Sequence, residues 1–170
     1  MFARRPVPSP ILLRLSFTLL LVILGAGLAH GQATPSVGIY WDQTYSQTEI
    51  TVDSYPTILD GYLVLRGVPE GILGWELTAD IDGEATFISW SPEGQGINAA
   101  TYPNSFVYGL VDPLPNTPDG ILLATVQIMV SGPLPVTIGL EPYYRGAISG
   151  EMAYLSADDP AHPQIMGTPY

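Results

Sequence analysis

The sequence predicts an all-β fold: a single antiparallel β-sandwich of jelly-roll type with about nine strands, preceded by a signal-peptide helix. Three observations carry the expectation. Apolar residues after position 31 recur with period 2, as in Leu73, Trp75, Leu77, Ala79 and Ile81 against Gly74, Glu76, Thr78 and Asp80, which marks a half-buried strand. Eighteen Gly and seventeen Pro fall as punctuation between short apolar segments. Past the first 31 residues no helix-length stretch carries a 3.6-residue period.

The first element reads as a secretory signal peptide over residues 1 to 31. Arg4, Arg5 and Arg14 supply a positive n-region, Leu15 to Leu28 an apolar h-region, and Ala29-His30-Gly31 small residues at the −3 and −1 positions before Gln32. The apolar run of about 14 residues is shorter than the roughly 20 that span a bilayer core, so cleavage is favoured over anchoring. No cysteine is present to carry a lipid anchor, and Gly, Pro and acids interrupt every later apolar stretch. The expectation is a chain that is secreted, periplasmic or at the cell surface, with no integral membrane segment after cleavage.

The remaining length divides into a β-sandwich domain over residues 32–157 and a Pro-rich C-terminal tail over 158–170. Within the domain the period-2 runs are Val37 to Asp42, Thr48 to Asp53, Ile58 to Arg66, Leu73 to Ile81, Glu84 to Trp90, Ser105 to Val111, Leu122 to Val130, Val136 to Leu140 and Tyr143 to Ser149. In the seventh run, Leu122, Ala124, Val126, Ile128 and Val130 share one face, opposite Leu123, Thr125, Gln127 and Met129. Asn116-Thr117-Pro118-Asp119-Gly120 is a turn, with Gly for positive φ and Pro for a fixed φ. Ser91 to Asn104 is the longest loop.

Charge and composition exclude several functions. Cleavage before Gln32 leaves Arg66 and Arg145 against sixteen acids, a net charge of −14, with no lysine anywhere. Such a surface repels nucleic acid and anionic membranes, which bind through Lys and Arg. The absence of cysteine removes thiol catalysis, thiolate metal sites and disulfides. His162, the one histidine past the signal segment, lies in the tail, where it cannot serve a histidine-dependent triad or build a histidine-rich zinc site.

Tyr62-Leu-Val-Leu-Arg-Gly-Val-Pro-Glu-Gly-Ile-Leu-Gly-Trp-Glu-Leu-Thr-Ala-Asp-Ile81, followed by Gly120-Ile-Leu-Leu-Ala-Thr-Val-Gln-Ile-Met-Val130 and a short closing segment, resembles the layout of cohesin-like domains. The resemblance covers about residues 37–141. It implies a jelly-roll sandwich related in fold to carbohydrate-binding modules, and no dockerin-contacting residue of that family can be matched here. Fold likeness of this kind hosts many functions.

Candidate site residues follow from chemistry. Asp80, Asp82 and Glu84 form the densest carboxylate cluster, and in an extended strand they would project to one side, where hard oxygen ligands could hold Ca²⁺. The alternative is the solvated end of a strand turning at Gly83. The Asp80-x-Asp82-Gly83 fragment departs from an EF-hand loop, with Ala85 at the sixth position and Ser91 at the twelfth. Among aromatics, Trp75 and Trp41 fall in apolar register and read as core. Trp90, Tyr102 and Tyr143 are the candidate ligand-binding residues, Trp90 with Tyr102 and Tyr108, and Tyr143-Tyr144 beside Arg145 as a second patch.

The functional expectation is a non-catalytic module for recognition, adhesion or assembly, whose partner is a protein or polysaccharide at the cell envelope. A carbohydrate-binding module using exposed aromatics is the alternative. A glycoside hydrolase, drawing on paired carboxylates among Glu76, Glu84, Glu93 and Glu141, is the weakest of the three. Mass spectrometry of the exported chain is expected to find Gln32 at the N-terminus; retention of residues 1–31 would contradict the leader.

Overall fold

The computed structural model describes residues 34–169; the signal-peptide segment lies outside the described residues. Ten strands form the domain. They are β1 (Ser36–Tyr40), β2 (Thr57–Arg66), β3 (Ile72–Asp82), β4 (Ala85–Pro92), β5 (Gly96–Asn98), β6 (Ser105–Leu114), β7 (Ile121–Val130), β8 (Thr137–Glu141), β9 (Met152–Ser156) and β10 (Gln164–Met166). The fold is all-β, as expected. One sheet has the order β1-β2-β7-β4, the other β10-β9-β3-β6-β5, and β8 also joins β3. Every strand pair within the two sheets is antiparallel.

The core lies between the sheets because each contributes one apolar face. Val37, Leu63, Leu65, Ile121 and Leu123 from the first sheet meet Trp75, Leu77, Phe106, Tyr108, Met152 and Tyr154 from the second. Trp75 is at the centre, its ring 4.8 Å from Phe106 and 5.8 Å from Tyr108. A second apolar cluster, built on Val126, Ile128 and Val130, continues toward Trp41, Phe87, Trp90 and Ile138.

Strand register departs from simple alternation at three bulges. Between β2 and β7, Leu63 pairs with Ala124 but Val64 with Leu122, so Leu123 is the extra residue. The bulge reverses the sides: Leu123 is fully buried and Leu122 only half-buried, the opposite of the alternation read along the sequence. A shift at the start of β3 likewise buries Ile72 in place of Leu73. The third, in β4, leaves Ile88 unpaired between Phe87↔Ile128 and Ser89↔Gln127.

Two runs read as strands are not strands. Thr48 to Asp53 is an irregular segment, and Tyr143 to Ser149 is a series of turns. Conversely, β5 forms within the long loop, and β9 and β10 lie in stretches assigned no strand. Of the stretch read as a Pro-rich C-terminal tail, the described residues 158–169 are therefore part of the fold. β10 pairs with β9, Met166 is 1% exposed, and the chain then meets β1: the Val37 N–H donates to Gly167 O (2.8 Å) and the Gly167 N–H to Pro35 O (3.0 Å). That parallel bridge joins the two sheets along one side. On the other, the Glu93-Gly94-Gln95 corner carries the chain from β4 to β5, with the Glu93 N–H bonded to Leu123 O and the Val111 N–H to Gln95 O. Among the described residues, no helix is long and apolar enough to cross a membrane.

Because Met166 packs with Trp75, Leu77 and Met152 in one core, Met166→Ala is expected to cost about 2–5 kcal/mol in urea denaturation. A loss below about 0.5 kcal/mol would instead match a surface tail.

Candidate functional site

Alternation along β3 sends Trp75, Leu77 and Ala79 into the core and Glu76, Thr78 and Asp80 to the outer face of the second sheet. Glu76 is nevertheless 7% exposed, because the turns that follow β8 fold back over it. The Ala147 N–H donates to Glu76 Oε1 (2.7 Å) and the Gly146 N–H to Tyr143 O (2.9 Å). A Cβ at 146 would lie 2.8 Å from the same carboxylate oxygen, so a larger residue there would displace the Glu76 carboxylate. A buried carboxylate thus holds the loop through a charge-assisted bond.

The loop presents an aromatic cluster. Tyr143 lies beneath, 6% exposed, with its ring 4.9 Å from that of Tyr144 at 70°. Tyr144 is 56% exposed and meets Tyr102, 59% exposed, edge to face at 5.4 Å. The Arg145 guanidinium sits 5.0 Å over the Tyr144 ring. Tyr102 comes from the connection between β5 and β6, and Asn98 braces that connection. Its Oδ1 accepts the Ala100 and Val107 N–H groups, and its Nδ2 donates to Ser105 O. Asn104, with φ 59°, makes the tight return into β6.

Of the sequence candidates, Tyr102 is exposed and meets Tyr144, whereas Tyr143 is buried behind Tyr144 and offers no contact surface of its own, because the turn that follows β8 points its ring inward. Trp90 goes elsewhere. Strict alternation would put Phe87 and Trp90 on opposite faces, but the bulge at Ile88 turns both inward. The Trp90 ring packs 5.2 Å from Phe87 and 5.1 Å from Phe106, and its Nε1–H donates to Asn104 Oδ1 (3.2 Å). Tyr108 is buried as well, so the proposed Trp90 platform with Tyr102 and Tyr108 does not form. Trp75 and Trp41 pack into the apolar clusters in the register read for them.

Asp80 and Asp82 are exposed at the end of β3. Glu84 follows the turn at Gly83 (φ 101°), beyond the end of the strand, and its Oε2 accepts the Leu134 N–H (3.3 Å). Among the described residues, no group of three His, Cys, Asp or Glu side chains is placed to hold a metal ion.

A second carboxylate orders the outer face of the first sheet. Asp42 accepts the hydroxyls of Thr44 and Ser46 and the backbone N–H groups of Ser46 and Gln47. These bonds, the Thr44 hydroxyl foremost, hold its carboxyl well below the usual carboxylate range. The turn sets the Tyr45 ring 6.3 Å from Tyr40 and 5.9 Å from Tyr62, and partial burial there raises the Tyr45 phenol. Arg66 donates to Tyr45 O (2.6 Å) and lies over the Tyr40 ring. Its guanidinium is thereby committed to structure.

Comparison with protein-family models, with curated proteins and with solved structures finds no match for this chain. Glu76→Ala is expected to leave the Ala147 N–H without its acceptor and to lower stability by about 1–3 kcal/mol, with a reduced tyrosine signal in near-ultraviolet circular dichroism. An unchanged tyrosine signal would mean that the loop holds its place without the carboxylate.

Proposed function

We propose that this protein is an exported, non-catalytic recognition module whose contact surface is the Tyr102–Tyr144–Arg145 face, and that its partner is a polysaccharide of the cell envelope. The observation that carries the reading is the pair of half-exposed rings, each held from behind: Tyr144 by Tyr143 and the Glu76-bound turn, Tyr102 by the Asn98-braced connection. Exposed aromatic rings on ordered backbone are suited to stacking on the apolar faces of sugars, and Arg145 adds donors for hydroxyl groups. Export rests on the leader pattern of residues 1–31.

A non-catalytic role is supported by how carboxylates are used. Glu76 and Glu84 each accept a backbone N–H and so serve loop geometry, whereas glycoside hydrolysis needs an acid and a base free to meet at one bond. The cohesin-like resemblance contributes a fold analogy and no contact residue.

A glycan array followed by calorimetry tests the reading. Binding of a neutral polysaccharide is expected, with Tyr102→Ala and Tyr144→Ala each weakening it by about tenfold while thermal stability is unchanged, a loss of about 1.4 kcal/mol per ring. Binding that survives both substitutions would remove this face from the function.

A further inference from the structure

A second surface, separate from the aromatic face, lies at the open edge of β8. β3 is paired on both sides, and the Ala79 N–H donates to Asn104 O on the β6 side (2.8 Å). The even-numbered Thr78, Asp80 and Asp82 therefore direct their backbone groups toward β8, where they meet Glu141, Gly139 and Thr137. Ile138 and Leu140 are left pointing their N–H and C=O groups the other way, along an edge that pairs with no strand among the described residues. At the level of β9 the corresponding edge is covered by β10.

Behind that edge is a cavity of about 790 Å³ between the sheets. Its walls include Ile39 and Trp41 from the first sheet and Ile138 and Leu140 from β8, with Leu134 and Pro169 also lining it. Short or proline-flanked edges protect sheets from unwanted pairing, and Pro135 and Pro142 do flank β8. Protection alone does not call for a groove of ligand-binding size behind the edge, lined by apolar side chains together with Thr48, Glu49, Thr51 and Thr168.

We propose that the β8 edge and this groove take up an extended, basic peptide segment from a partner protein by strand addition. Main-chain bonds would run to Ile138 and Leu140, and alternate apolar side chains would enter the groove beside them. Charge chooses the partner. The remaining side chains of an added strand would emerge on the outer face of the second sheet beside Thr137, Gly139 and Glu141, with exposed Asp80 and Asp82 one strand further in and Asp80 facing the side-chain-free Gly139, while Glu49 lines the groove. No Lys or Arg among the described residues lines the groove. A second copy, carrying the same −14 charge past Gln32 and no lysine, is repelled from this edge.

The test uses the purified protein and a fluorescent peptide of alternating Lys and Val. Its controls are an isomer with the Lys and Val segregated and a counterpart with Glu in place of Lys. Saturable binding at least about tenfold tighter than either control is expected, with slowed amide exchange at Ile138 and Leu140. Ile138→Pro removes a donor that β3 does not use, and Glu141→Lys reverses the charge beside the edge; each should weaken binding by about tenfold in a folded protein. Equal binding of the segregated isomer or the Glu peptide, indifference to Glu141→Lys, or exchange protection elsewhere would overturn the proposal. So would a dimer in sedimentation equilibrium that Ile138→Pro dissolves, since the edge would then serve a second copy.

Discussion

Most of this structure hangs on β3, the eleven-residue strand that is paired along both edges. β6 lies along one edge, and β9 and then β8 share the other. Its inward side chains, Trp75 and Leu77, meet the first sheet, and its outward Glu76 anchors the loop that carries the exposed Tyr144. Core, aromatic face and open edge are thus three consequences of one strand's two-residue period. The burial of Trp75 has a cost: its Nε1 is enclosed with no hydrogen-bond partner among the described residues. The aromatic contacts with Phe106 and Tyr108 offset it.

Both outer faces are finished by a short loop held by a carboxylate. On the first sheet Asp42 collects hydroxyl and amide donors and sets Tyr45 against Tyr40, Tyr62 and Arg66. On the second, Glu76 takes the Ala147 amide and sets Tyr143 and Tyr144. The devices have different outcomes. Tyr45 closes its face because Arg66 is spent on the Tyr45 carbonyl and the Tyr40 ring. Tyr144 stays more than half exposed although Tyr143, Tyr102 and Arg145 all contact its ring. Asp42, Glu76 and Glu84 are structural in this sense, each accepting backbone N–H groups of a loop.

Sequence by itself determined the fold class and most of the strands. Period-2 alternation, turn residues at Gly83 and Asn116–Gly120, and the missing helical period follow from local backbone sterics, which neighbouring residues in the chain already express. It also placed Trp75 in the core and turned Trp41 to the inward face, where it is half-buried, and brought Tyr102, Tyr143 and Arg145 into consideration. Tertiary structure decided the rest. Bulges at Leu123 and Ile88 set which of Leu122 and Leu123 is buried and sent Trp90 inward, and a bulge arises from pairing with a distant strand, so no local pattern contains it. β5 and β10 are three residues long and exist through the partners they meet, which is why Gln164–Met166 reads as tail in the chain and as strand in the fold. The β8 edge that pairs with no strand among the described residues, and the groove behind it, have no sequence signal at all, because such an edge is defined by which strands meet in space.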